Sequence, residues 1–167
     1  GIDRIGVPRA DVDNLGHAFV AGFKNPANGD RYVTLSRTAT LSRQLSLFFK
    51  FYINHILSCG EYSLKKDGKT GKRNAAIVYS GGDDLFIIGA WNEVIQLAVD
   101  IRRAFKRYTE GTLTISAGIG VYHDSYPVSA IAEEVAELED ASKKLPGKNG
   151  VTLFTDGESH GVISDEG

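Results

Sequence analysis

An α+β fold of ferredoxin-like type, an antiparallel sheet with helices packed on it, is predicted by three observations. Two β-prone runs, Ala75-Ala76-Ile77-Val78-Tyr79 and Leu85-Phe86-Ile87-Ile88, flank a Gly-Gly tip and read as a hairpin. Three stretches repeat apolar residues at helical spacing. Their order along the chain is strand, helix, strand, strand, helix, strand, helix, strand, which is a ferredoxin-like core with one added helix and one added strand.

Each element has its own warrant. Arg4 to Ala10 is short and apolar, a first strand. Pro8 inside it cannot donate to a ladder, which predicts an edge or a bulge there. Asp11 to Gly16 reads as strand end and turn, and Asn25 to Asp30 as a polar loop. Leu41, Leu45, Phe48, Tyr52 and Ile56 predict a helix from about Ser36 to Ser58, ended by Cys59-Gly60. After the hairpin, Asn92 is a candidate cap for a helix running to Tyr108, with Val94, Ala98, Ile101, Phe105 and Tyr108 on its apolar face. Thr112 to Gly118 alternates as a strand. Ser129 opens a helix that turns Ile131, Val135 and Leu138 inward, and Val151 to Thr155 is a last strand. Residues 1–155 form one domain, and the acidic stretch 156–167 reads as a linker or tail.

Bulk properties narrow the function classes. The 167 residues fit one domain with a sizeable core, and 42% hydrophobic and 24% charged residues are ordinary for a globular chain. A net charge of −2 provides no global attraction to nucleic acid or membrane. The single Cys59 excludes an internal disulfide, and no apolar run is long enough to span a bilayer, so a cytoplasmic setting is expected. There is no Met, even at position 1, which suggests an excised domain. Three charge clusters read as solvated faces: Lys65 to Arg73, Arg102 to Arg107, and Glu133 to Asp140.

The candidate chemistry centres on Ser80-Gly81-Gly82-Asp83-Asp84. Two carboxylates surrounded by glycine backbone repel each other unless a divalent cation and a phosphate substrate occupy the site. Asp11 ends the first strand, which lies beside the hairpin in a ferredoxin-like sheet, so it can face Asp83 and Asp84. Three converging carboxylates make a hard-oxygen site suited to Mg²⁺ or Mn²⁺, and a two-ion version would orient a triphosphate. Asp13 joins them only if the strand runs on; otherwise it turns into the loop. The Asn14-Leu15-Gly16 turn exposes backbone amides, and Gly16 permits close phosphate approach. Lys144 and Lys148 can neutralise phosphate oxygens as point charges. Singly, each feature is an ordinary hairpin, turn or surface lysine. The assignment rests on all three together, in this order.

With these residues in place the chain resembles the nucleotidyl cyclase and polymerase palm superfamily, which includes diguanylate cyclases with a GGDEF or GGEEF signature. The GGDD form at Gly81 to Asp84 looks like the palm of the large subunit of type III CRISPR effector complexes. Arg9-Ala10-Asp11-Val12-Asp13-Asn14-Leu15-Gly16, Leu41-Ser42-Arg43, Phe48-Phe49-Lys50, Leu113 to Gly118 and Lys148-Asn149 look like the subtype III-A version. The likeness covers Ile5 to about Phe154. It implies conversion of ATP to cyclic oligoadenylates, second messengers of antiviral defence, when target RNA binds the complex. It implies that Asp11, Asp83 and Asp84 are catalytic and hold Mg²⁺ or Mn²⁺. Asn14, Leu15, Gly16, Ser80, Gly81, Gly82, Lys144 and Lys148 would bind nucleotide, with Lys143 a close rival for Lys144 because Pro146 blurs the spacing. Ser80 is a candidate contact to the purine edge. Implied partners are the other subunits of the type III-A complex, its guide RNA and target RNA, and a second palm of the same subunit completing a two-ATP site.

Departures from the diguanylate cyclases bear on the base. Phe19 stands where those enzymes carry a guanine-binding Asn, and their Arg-x-x-Asp feedback motif, falling on Lys72 to Ala75, is absent. Two further readings stay open at this point: a diguanylate-cyclase-type enzyme and a catalytically silent scaffold palm. The family's HD nuclease does not fit within the chain. His17, His55 and His160 lack a following Asp, and His123-Asp124 reads as a plain loop.

Overall fold

The structure, a computed structural model, describes residues 4–21, 31–58, 73–144, 150–155 and 158–164; residues 19–21, 31–35, 154–155 and 158–164 are described by backbone alone. Strand β1 (Arg4–Val12) leads into α1 (Leu15–Ala21) and α2 (Arg31–Leu47), then a π-helical turn (Phe48–Tyr52) and α3 (Ile53–Ser58). The hairpin β2 (Ala75–Ser80) and β3 (Asp84–Ala90) follows, then α4 (Trp91–Tyr108), β4 (Ile115–His123), α5 (Val128–Lys143), β5 (Gly150–Thr155) and β6 (Glu158–Ser164). The sheet order is β2-β3-β1-β4-β5-β6.

The first four strands, in spatial order β2-β3-β1-β4, are antiparallel throughout and form the expected ferredoxin-like core. Beyond that core the sheet is mixed, because β5 pairs parallel with β4. Parallel neighbours need a crossover, and α5 supplies it. The chain expected as linker or tail contributes β6, antiparallel to β5 from Gly150 opposite Ser164 to Thr155 opposite Glu158.

Alternating side chains divide the core between the two faces of the sheet. Ala10, Val12, Leu85, Ile87, Ile115, Ala117 and Ile119 pack on one face, with α4 and the helix leading into β2. Val7 and Tyr122 pack on the other, with Ile131 and Val135 of α5. Arg9 and Asp11 share the α5 face with Val7, as does Asp84, which is paired with Asp11.

Several local expectations are revised. Pro8 is central rather than at an edge, paired with Ile119 of β4. Its missing N–H is absorbed on the β3 side, where pairing runs Ile5–Ala90 and Gly6–Gly89, then resumes at Arg9–Phe86. Asn92 does not cap α4; the cap position is Ala90, with no side-chain hydrogen bond, and the helix starts at Trp91. Strand β4 begins at Ile115 rather than Thr112 and continues to His123. Helix α5 starts one residue early, at Val128. Arg73 is not a solvated charge: it is buried, and its Nη2 pairs with Asp100 at 2.5 Å. The polar loop 25–30, Cys59-Gly60, Lys65 to Lys72 and Lys148 lie outside the described residues.

The long helix starts at Arg31, earlier than its periodicity indicated, and widens at Phe48–Tyr52. Phe48 and Phe49, adjacent in sequence, are both fully buried there, which contributes about 1.5–3 kcal/mol each. Phe48 meets Phe105 of α4 edge-on, with centroids 5.2 Å apart. Among the described residues no helix is long and apolar enough to cross a membrane.

Candidate active site

The site forms where β1 and the hairpin end side by side. Asp11 stands opposite Asp84 in the β1–β3 ladder. Asp83 is held in the tip by its carbonyl, which accepts from Val12 N–H at 3.0 Å. Gly81 N–H donates to the Asp84 carbonyl at 2.8 Å. A Cβ on Gly81 would lie 2.2 Å from Asp84 Oδ1 and 2.8 Å from the Tyr79 hydroxyl. Glycine is therefore what lets the Asp84 carboxylate fold over the tip. Gly82 is open, with only Ser46 Oγ at 4.0 Å from a built Cβ.

The three carboxylates feel one another. Burial raises the pKa of Asp83 above its ordinary 3.8, and the charges of Asp11 and Asp84 raise it further, against opposing contributions from its own backbone N–H and Lys143. Among the described residues, however, no three acidic, imidazole or thiol groups stand close enough to hold one ion together. Asp11 Oδ2 is taken instead by the Lys143 ammonium.

Lys143 was the rival lysine, and it is the one brought to the carboxylates. Its Nζ also contacts Glu139 Oε1 at 2.7 Å, one helical turn earlier. Burial works against its charge, but hydrogen bonds to Asp11 and Glu139 more than offset it and hold the ammonium above its ordinary value. Lys144 sits at the C-cap of α5 and is exposed. Glu139 belongs to the acidic run read as a solvated face, yet it is 5% exposed. Its Oε2 pairs with Arg9 Nε at 2.8 Å. The end of α5 is pinned to the sheet by Ser142, whose hydroxyl donates to the Ala117 carbonyl at 2.7 Å and lies 2.6 Å from Thr152 Oγ1.

Asp13 does not join the carboxylates. It is buried at 3% exposure and accepts from Thr114 Oγ1 at 2.7 Å and Ser116 Oγ at 2.8 Å, which draws it toward β4, away from the hairpin. Asn14 has φ 53°, and its carbonyl accepts from Ala18 N–H at 2.9 Å. Leu15 and Gly16 open α1, where first-turn N–H groups have no helical partner. A Cβ on Gly16 would meet nothing within 4 Å. Ser80 is committed: its hydroxyl donates to the Phe49 carbonyl at 2.8 Å, tying the hairpin to the π-helical turn. Phe19 lies in α1. Glu139 and Arg9 escaped sequence reasoning. The available signal was the i, i+4 spacing of Glu139 and Lys143.

The geometry defines a ferredoxin-like palm domain whose hairpin tip carries paired carboxylates beside a strand-end Asp. Residues 4–152 match the model of the Cas10/Cmr2 second palm domain, and the chain belongs to that family; its curated relatives below are of subtype III-A. It is 52% identical over 155 residues to the CRISPR system single-strand-specific deoxyribonuclease Cas10/Csm1 of Mycobacterium tuberculosis, covering 92% of this chain and 19% of that protein. Against the Cas10/Csm1 of Enterococcus italicus the identity is 47%, covering 96% and 19%. The chain thus spans about a fifth of the length of these relatives. Among solved structures, it is similar to a Csm1-Csm4 cassette in complex with cA4 (TM-score 0.74, 35% identity, 90% of this chain and 21% of that one). It is also similar to the cassette in complex with one ATP (TM-score 0.73, 37% identity, 89% and 20%).

Proposed function

We propose that this palm is an ATP-binding half of a cyclic oligoadenylate synthase, working in the cytoplasm within a type III-A CRISPR effector that target RNA activates. The observation that carries the reading is Asp11 opposite Asp84, with Asp83 next to Asp84 in the tip, its proton affinity raised by burial and then by the charges of both others. Crowded carboxylate charge of this kind calls for a hard cation, and the donor set suits Mg²⁺ or Mn²⁺. Asp11, Asp83 and Asp84 would hold it once Asp11 gives up its contact with Lys143. When bound, the ions would supply Lewis-acid stabilisation of the attacking and leaving oxygens. The 3′-hydroxyl of one ATP would give up its proton to water as its oxygen bonds to the α-phosphorus of the next and the bond to pyrophosphate breaks. Once off Asp11, Lys143 would meet phosphate oxygens, and the first-turn N–H groups of Leu15 and Gly16 would add donors. The solved relatives with ATP, pppApA and cA4 support the same chemistry. Since the matching model is that of a second palm, the companion completing a two-ATP site would be the first palm of the same subunit. The other subunits, the guide RNA and the target RNA would be partners through the complex.

Parallel calorimetric titrations of the assembled complex with ATP and GTP, each with Mg²⁺, test the base assignment. ATP is expected to bind more tightly and to yield cyclic products by chromatography. Tighter GTP binding would favour a diguanylate-cyclase-type enzyme instead.

Metal binding carries a pH signature. Because the folded-state pKa of Asp83 lies above 3.8, the folded chain binds more protons than the unfolded one just above that pH, and stability falls as pH rises through the raised value. A cation neutralising the ionised carboxylate restores what is lost. Mg²⁺ is therefore expected to raise the melting temperature at neutral pH, and the shift should shrink as acid protonates Asp83. Melting curves with and without Mg²⁺ at several pH values check this, and a shift of constant size contradicts it.

A further inference from the structure

We propose that Lys143 is a resident stand-in for the metal: its ammonium neutralises Asp11 while the site is empty, then passes to the triphosphate, held within reach by Glu139. This rests on the nucleotidyl-transfer reading above. Lys143 Nζ contacts Asp11 Oδ2, one of the two oxygens through which that carboxylate could hold a cation. Two cations cannot share that oxygen closely, so metal and ammonium compete for it.

Glu139 decides where the displaced ammonium goes. It holds Lys143 at 2.7 Å from the preceding turn of the same helix, and Arg9 Nε lies 2.8 Å from its other oxygen. Ser142, next to Lys143, anchors the helix end to β4 and β5, so only the lysine side chain needs to move. In this scheme Lys143 meets substrate, and Glu139 is a positioning residue that acts through it.

The test separates metal binding from nucleotide binding. Mn²⁺ alone is titrated into the full chain and its Lys143→Met and Lys143→Gln variants, with the titration of an Asp83→Asn, Asp84→Asn variant subtracted to isolate the hairpin. Removing a partly exposed ion-pair competitor is expected to tighten Mn²⁺ binding about two- to fivefold. The same variants should bind ATP with Mn²⁺ several-fold more weakly, since a phosphate anchor is lost. Glu139→Gln should weaken ATP binding without tightening Mn²⁺, because Lys143 still competes at Asp11. A merely structural lysine would move both affinities in the same direction. Unchanged or weaker Mn²⁺ binding in both Lys143 variants overturns the proposal while leaving the nucleotidyl-transfer reading standing. No hairpin-dependent Mn²⁺ binding in any form overturns both.

Discussion

Replacing Asp83 and Asp84 together with alanine is expected to remove cyclic product from the assembled complex given ATP, Mg²⁺ and target RNA. The loss should be about a thousandfold or more, since metal stabilisation of transferring phosphoryl oxygens contributes several kcal/mol and each 1.4 kcal/mol is about tenfold in rate. The variant should fold. Asp84 is bound into the sheet through its backbone, and the Gly81 N–H still reaches its carbonyl. Relief of carboxylate repulsion should, if anything, raise the melting temperature without metal, because burial and both neighbouring charges disfavour ionised Asp83. Inactivity with undiminished stability identifies a functional loss. Normal yields of cyclic product from the variant would sink the proposed function and favour a silent scaffold palm.

Gly118→Ala is expected to damage stability and the site together. Gly118 lies in β4 beneath α5, and a Cβ there would fall 2.5 Å from the backbone nitrogen of Glu139 and 2.7 Å from Leu138 Cβ. The obstacle includes helix backbone, so α5 has to lift off the sheet by about 1 Å to regain ordinary contact. Overpacking of this kind costs about 1–3 kcal/mol, and a chain of this size loses about 2–4 °C of melting temperature for each. The same shift carries Glu139 and Lys143 away from Arg9 and Asp11. The check is thermal denaturation alongside nucleotide affinity, both of which should fall. A Gly118→Ala chain with parental melting and affinity would show that α5 is free to adjust.

The ferredoxin-like core was legible because its signals are local: alternation around the hairpin and helical spacing at Val94, Ala98, Ile101 and Phe105. The strand-end position of Asp11 followed from topology, and the ladder pairs it with Asp84. What escaped was set by tertiary context. Pro8 reads as an edge signal, yet a central strand tolerates it where the β3 ladder skips a pair. Residues 158–164 carry little apolar content and become a strand only against the exposed edge of β5. Acidic composition made Glu139 look solvated, although it faces Arg9 on β1, far away in sequence. Spacing alone left Lys143 and Lys144 equivalent; the phase of α5 against the sheet separates them.

The central place of β1 bears on how the chain comes to be folded as it is made. Its two sheet neighbours are β3 and β4, both much later in sequence. Roughly 70 residues separate Asp11 from its partner Asp84, and at about 5–20 residues per second a ribosome takes about 4–15 s to deliver them. Throughout that interval a largely apolar strand has both edges unpaired. The Pro8 that interrupts one ladder in the finished sheet also spoils that edge as a template for pairing with another nascent chain.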